Sequence, residues 1–265
     1  MKLYVLNNGW IDGNENEIYD NLNETGSDNV SAKWNRIPIY AVLIDHPAGK
    51  IIYDLGCHPD AMHGYWCKNL TSKTRYGYDE SNLLTHQLAL TGTKVEDIKT
   101  VVLSHLHPDH TGNLYLFEHA DIYVPREDFI HALMSVHACK DPAAHGLYVK
   151  ASLEVPVKQY HLIDHDIELL PGIELVTLPG HTPGLLGLIV HLPKEGTLVF
   201  PQDAINDRRV YGPPAQEPGL AYDKTDYSHS VEKVRDLAQK YKARVMFPHD
   251  WEFFQTMKKA PNYYE

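Results

Sequence analysis

Apolar runs rich in β-branched residues recur along the chain, each bounded by Gly, Pro, Asn or Asp, and they predict strands. They fall at 2–6, 37–45, 50–54, 100–104, 121–124, 159–163, 173–178, 185–191, 196–200 and 244–247. Between some of them the apolar period lengthens to three or four residues. Val231, Val234, Leu237 and Tyr241 recur at that spacing and predict a helix over 226–241, with Thr225 or Asp226 as its cap. Residues 126–139 follow Pro125, which suits a first helical turn. Residues 80–90 read as a helix stopped by Gly92, and 113–118 as a short helical turn. Strands arrive in runs with an occasional helix, which is not the strict alternation of a doubly wound sheet. The pattern predicts an α/β fold of two mixed sheets packed face to face with helices outside. No repeat, linker or low-complexity segment divides residues 1–265, so one domain is expected. Stretches 57–79 and 206–224 lack periodicity and are rich in turn residues, as functional or mobile loops are.

Composition narrows the partners. The 35 acidic side chains outnumber the 24 Lys and Arg, giving a net charge of −11, with no basic block to grip nucleic acid. The carboxylates between 12 and 28 read as solvated surface. The start, MKLYVLNNGW, is too short an apolar run for a signal-peptide core, and no run is long enough to span a membrane. Cys57, Cys67 and Cys139 form no CxxC pair, so a disulfide framework is not expected and a reducing cytoplasm is. The 17 histidines are an excess that calls for a reason.

The reason lies after strand 100–104, in Ser104-His105-Leu106-His107-Pro108-Asp109-His110-Thr111-Gly112. In an extended backbone His105 and His107 point to the same side, and Pro108 turns Asp109 and His110 toward a second position. Imidazole nitrogens and carboxylate oxygens are ligands of Zn²⁺ and similar metals. Three more candidates stand directly after strands: His181 in LPGHTPG, Asp203 in FPQDA and His249 in MFPHD. Seven ligands exceed one tetrahedral ion and suit two. His105, His107 and His181 are assigned to one metal, Asp109, His110 and His249 to the other, and Asp203 bridges them. Two ions about 3.5–4 Å apart can share a water and lower its pKa toward 7, which supplies a hydroxide nucleophile without Ser or Cys. The remaining histidines match no ligand spacing and read as surface or packed residues, with His63 and His145, both in loops, the foremost exceptions.

These residues, in this order across nearly the whole chain, resemble the metallo-β-lactamase superfamily. The resemblance implies an αββα sandwich with a dinuclear metal site at one edge of the sheets. RIPIYAVLIDHPAGKIIYDLG (36–56), SHLHPDHTGN (104–113), LPGHTPG (178–184) and the aromatic tail Tyr263-Tyr264-Glu265 look most like N-acyl-homoserine lactonases and 4-pyridoxolactonase. The implied reaction is opening of a small-molecule lactone. Its carbonyl oxygen would sit on the first metal, the bridging hydroxide would attack, the ring oxygen would leave on the second metal, and Asp109 or a metal-bound water would handle the proton. The metals are Zn²⁺ by default, with Mn²⁺, Fe²⁺ or Co²⁺ open to the same donor set. The lactonases carry a tyrosine three residues after the bridging aspartate, and here that position is Asn206. Three readings stay open: Asn206 serves as a shorter polar contact, Tyr211 or Tyr222 substitutes, or the substrate is another lactone or ester. Met62, Tyr65, Trp66, Tyr76 and Tyr78 read either as an apolar wall beside the metals or as aromatics packed on the core or on a second copy in a homodimer. The rival reactions are phosphodiester, thioester and aryl-lactone hydrolysis on the same site. A binding protein without turnover is disfavoured by the complete ligand set, and iron redox chemistry by His107 at a position where Glu would be expected.

Overall fold

A computed structural model describes residues 1–15 and 33–265. Of the acidic stretch read as surface, Glu17, Asp20, Glu24 and Asp28 lie outside the described residues, while Asp12 pairs with Arg36 at 2.7 Å.

The first sheet contains β1 (Lys2–Asn14), β2 (Trp34–His46), β3 (Gly49–Tyr53), β4 (Thr74–Gly77), β5 (Ile98–Val102), β6 (Asp121–Pro125) and β7 (Gln159–Ile163), in the order β4-β1-β2-β3-β5-β6-β7. The second contains β8 (Ile167–Leu170), β9 (Ile173–Thr177), β10 (Leu186–Leu192), β11 (Gly196–Phe200) and β12 (Arg244–Val245), in the order β12-β11-β10-β9-β8. Both are mixed: β3, β5, β6 and β7 pair in parallel, as do β11 and β12, and the other pairings are antiparallel.

Alternation along β2 explains the layering. Tyr40, Val42 and Ile44 face the second sheet, where they meet Leu186, Leu188 and Phe200. Ala41 and Leu43 face the other way, into a cluster with Leu84 and Leu88 of α2 (Leu84–Ala89) and Ala132 and Val136 of α4 (Arg126–Ala138). A strand covered on both faces reads as an unbroken apolar run, which is why 37–45 carries no polar alternation. The second sheet repeats the arrangement: Ile189 and Val199 turn outward onto Val231 and Val234 of α7 (Lys224–Tyr241). The result is the αββα sandwich that the sequence predicted. Tyr53 joins the sheets directly, its hydroxyl donating to the Leu186 carbonyl at 2.6 Å. The C-terminal tail pairs with the first strand through reciprocal Leu3–Tyr264 backbone bonds of 2.9 Å.

Several boundaries differ from expectation. β1 extends to Asn14 because β2 pairs along its whole length and β4 pairs with its far half. β4 and β8 were not predicted: each has four residues, and β4 falls in a stretch with no visible period. Segment 57–79 holds α1 (Lys68–Lys73) as well as β4, and Trp66 and Tyr76 sink into a core cluster with Ile11, Ile39 and Leu70. The cap of α7 is Asp223, whose carboxylate accepts from the Thr225 and Asp226 amides at 2.8 and 2.9 Å, rather than Thr225 or Asp226. The remaining helices are α3 (Pro108–Thr111), α5 (Lys150–Leu153), α6 (Arg208–Tyr211) and α8 (Trp251–Thr256). Among the described residues no helix is long and apolar enough to cross a membrane.

Candidate metal centre

The ends of β5, β9, β11 and β12 lie at one edge of the two sheets, and each delivers donors there. The loop after β5 turns into α3 at Pro108, which carries His105, His107, Asp109 and His110 to one place. This loop must run close over the chain after β3. A Cβ on Gly112 would come within 2.0 Å of the His58 amide nitrogen, so only glycine fits. The Gly112 amide donates to the Gly56 carbonyl at 2.8 Å, and Asn113 Nδ2 donates to the Leu55 and Cys57 carbonyls. Gly180 plays a similar part before His181: its φ is +128°, and a Cβ would meet the Tyr227 amide nitrogen at 2.2 Å, against the first turns of α7.

The seven predicted ligands converge. His107 Nδ1 lies 3.0 Å from His105 Nε2 and 3.1 Å from His181 Nε2. On the other side, His110 Nε2 is 3.4 Å from Asp109 Oδ2, and His249 Nε2 is 3.8 Å from it. Asp203 stands between the groups. Its Oδ1 is 3.1 Å from His249 and 3.4 Å from His110, and its Oδ2 is 3.3 Å from His181 and 4.0 Å from His105.

Outer hydrogen bonds aim the rings. His110 Nδ1 donates to Asp54 at 2.8 Å, His249 Nδ1 to the Pro38 carbonyl at 3.2 Å, and His181 Nδ1 to the Leu220 carbonyl at 3.3 Å. His105 Nδ1 bonds the Ser104 hydroxyl at 3.0 Å. Each bond leaves the Nε2 lone pair facing the centre, as in metal-ligating histidines.

Two observations test whether a cation fits. The imidazole nitrogens of His105, His107 and His181 converge on one point at 3.0–3.1 Å, the arrangement of lone pairs that share a cation. In addition, His110 Nε2 and Asp203 Oδ1 are buried without a hydrogen-bond partner among the described residues. The electrostatics agree. Burial, reinforced by His181, takes His107 down to about 3, so its nitrogen is free to bind a metal. Burial opposes the charge on Asp109, but His110 outweighs it and brings the carboxyl to about 2. Burial likewise opposes ionisation of Asp203, and His249, His110 and His181 together hold it well below the carboxylate range. The donor set fits divalent ions.

Four residues around the centre carried no sequence assignment. Asp54 is fully buried at φ +59°; its Oδ1 accepts from the Ser104 amide at 2.7 Å, and its Oδ2 accepts from His110 and Gln202. The signal was present, since Asp54 closes the apolar run IIYD as Asp203 follows TLVF. Gln202, adjacent to Asp203, had no signal beyond that position. Asp128 of α4 accepts from the Leu106 amide at 2.7 Å and from the Tyr148 hydroxyl at 2.6 Å, which pins the ligand loop to α4. An acid in a first helical turn is ordinary, so neither Asp128 nor Tyr148 was legible.

Burial pushes the Asp128 carboxyl up to about 7 despite the Tyr148 and Leu106 hydrogen bonds. A carboxyl that holds its proton more tightly folded than unfolded contributes stability below its unfolded value near 3.8 and loses it as pH rises through about 7. The Tm difference between parent protein and Asp128→Asn is therefore expected to shrink steadily from pH 4 to pH 8. A difference independent of pH would exclude this assignment.

The centre opens into a cavity of about 290 Å³, lined by His107, Asp109, His181, Asp203, Asn206 and His249 at one end. His105 and His110 lie beneath, buried. Ile11, Ile37, Trp66, Leu70, Leu147 and Leu220 form the apolar wall. Asn206 presents a buried Oδ1 without a hydrogen-bond partner among the described residues. Tyr222 is 62 % exposed with its ring 5.3 Å from that of His131, and Tyr211 packs on Phe247; neither lines the cavity. Of the histidines singled out outside the set, His145 donates to the Cys139 carbonyl at 2.8 Å, and His63 is exposed.

Fold and donor set define a metal-site hydrolase of the αββα class, and the profile of the Metallo-beta-lactamase superfamily matches residues 34–248. The chain belongs to that superfamily. It is 33% identical to N-acyl homoserine lactonase AiiB of Agrobacterium fabrum, over 100% of this chain and 99% of that relative. It is 30% identical to N-acyl homoserine lactonase AttM of Azorhizobium caulinodans, over 100% of this chain and 99% of that relative. Among solved structures, an N-acyl homoserine lactone hydrolase with the product N-hexanoyl-L-homoserine at its catalytic metal centre superposes with a TM-score of 0.84. It has 22% identity and covers 99% of this chain and 98% of that one. The dizinc quorum-quenching lactonase AidC superposes with a TM-score of 0.68 at 20% identity, covering 94% of this chain and 87% of that one.

Proposed function

We propose that residues 1–265 act as one hydrolase domain that opens the ring of N-acyl homoserine lactones, and so quenches quorum signals. The observation that carries this reading is the position of Asp203: each carboxylate oxygen faces a different imidazole group, at the head of an apolar cavity. His105, His107 and His181 would hold one divalent ion, Asp109, His110 and His249 a second, and Asp203 both. Bound there, the ions supply Lewis acidity and a water acidic enough to attack at neutral pH. Zinc is the ion we propose, as the default for an imidazole-rich site, and the same donor set accepts Mn²⁺, Fe²⁺ or Co²⁺.

The chain's own residues do the rest. Ile11, Ile37 and Leu147 take the acyl chain and exclude water. The Asn206 Oδ1 accepts the substrate's amide N–H, which satisfies an otherwise orphaned buried acceptor. Asp109, ionised and lining the cavity, takes the proton of the attacking water and returns it to the leaving ring oxygen. Tyr222, at the surface, is assigned no contact with the substrate. The free cysteines support a cytoplasmic location. A homodimer rests on the family resemblance alone, and sedimentation tests it.

Protein reconstituted with Zn²⁺ is expected to hold two equivalents. It is expected to release a proton from N-acyl homoserine lactones with kcat/KM well above that for thioesters, phosphodiesters and pyridoxolactone. No proton release from any N-acyl homoserine lactone would remove the assignment and leave the fold intact.

A further inference from the structure

The metal-facing cavity, at about 290 Å³, sits at the lower limit of small-molecule sites, which run from roughly 300 to 1,000 Å³. A lactone with a long acyl tail outgrows it. Among the described residues, two larger grooves share lining residues with it. One, of about 740 Å³, touches it at Asn35 and His249 but is walled by Arg36, Arg208, Asp250 and Glu252, and an alkyl chain would strip water from those charges.

The other groove, of about 410 Å³, lies between α1, the end of α4 and the start of α5. Its walls include Tyr65, Val136, Tyr148 and Val149, with Lys140 and Lys150 at the rim. Leu70 and Gly146 line both this groove and the metal-facing cavity, so the two spaces border each other at these residues. Gly146 contributes no side chain to it, and a Cβ built there would meet nothing within 4 Å. The preceding residue is tied down by the His145–Cys139 bond, and Tyr65 is held from the far side by a 2.9 Å bond to the Ser152 hydroxyl. The boundary thus has one edge without a side chain, at Gly146, and one apolar edge, at Leu70, packed beside Trp66 and Tyr76.

We propose that an N-acyl tail too long for the metal-facing cavity passes between Leu70 and Gly146 and lies in this second groove, which sets the acyl-length preference. The inference rests on the lactonase reading above. Each methylene moved from water onto an apolar wall is worth about fourfold in binding. On this proposal the groove acts on long-chain lactones and not on short ones, which the metal-facing cavity holds by itself.

Ala151 lines the groove, away from the metal-facing cavity, and is exposed, so Ala151→Trp fills the groove without disturbing the core. The ratio of kcat/KM for N-decanoyl over N-butanoyl homoserine lactone is expected to fall at least about tenfold in the variant, mostly through KM. The fluorescence of the introduced indole is expected to change on adding ring-opened N-decanoyl homoserine and not N-butanoyl homoserine. An unchanged ratio with no fluorescence response overturns the route, and the lactonase reading stands if the butanoyl lactone is still opened. Failure to open any lactone overturns both.

Discussion

Replacing Asp203 by alanine is expected to lower kcat/KM for an N-acyl homoserine lactone by about a thousandfold or more, with loss of at least one metal equivalent. The expectation follows from geometry. No other described carboxylate divides its two oxygens between the imidazole groups: Oδ1 serves His110 and His249, and Oδ2 serves His105 and His181. Without it, buried nitrogens converge with no anion between them, and the residue that would hold both ions, and through them supply an acidic water, is gone. Asp203→Asn keeps the shape and removes the charge, and the same direction is expected. The assay is proton release on lactone addition, paired with metal analysis of the purified variant. Activity within tenfold of the parent would mean that Asp203 is not shared between two ions.

The second large effect is expected at Asp54, which touches no substrate. Asp54→Ala leaves the Ser104 amide, the His110 Nδ1–H and the Gln202 amide buried without their acceptor. Each stranded donor costs about 1–3 kcal/mol, and breaking a buried charge pair with one partner removed costs about 3–5 kcal/mol. The terms overlap, so a loss of about 4 kcal/mol and a fall in Tm of about 10 °C are expected for the metal-free protein. Metal affinity is expected to fall about 10–100-fold, because His110 loses the bond that aims its Nε2 at the centre. Thermal unfolding and metal titration measure the two parts separately. A Tm within about 3 °C of the parent, together with unchanged metal affinity, would remove Asp54 as the residue that positions His110.

What was legible in the sequence had a local cause. The convergence of the candidate ligands between His105 and His110 is governed by strand alternation and one proline, both visible without neighbours. Polar residues at strand ends pointed to His181, Asp203 and His249 as candidates for the same reason, and the fold brings their side chains together. The two-sheet architecture was legible because strands covered on both faces need continuous apolar runs. Elements held in place chiefly by their partners were not legible. β4, a four-residue edge strand, exists because the far half of β1 presents its other edge, at Trp10–Gly13, as a pairing partner. Asp223 caps α7 because the chain makes its turn there, a choice that composition alone divided between two other residues.

The sequence by itself determined which side chains carry metal-type donor atoms and at which strand ends they emerge. The tertiary structure decided which oxygen of Asp203 meets which ring. It brought Asp54 to Gln202 across 148 positions of chain, and it separated the metal-facing cavity from the groove behind Leu70 and Gly146. The division has one physical basis. Backbone geometry fixes the direction of side chains a few residues apart, whereas distances between remote segments are set only when two sheets and their helices pack to a common density.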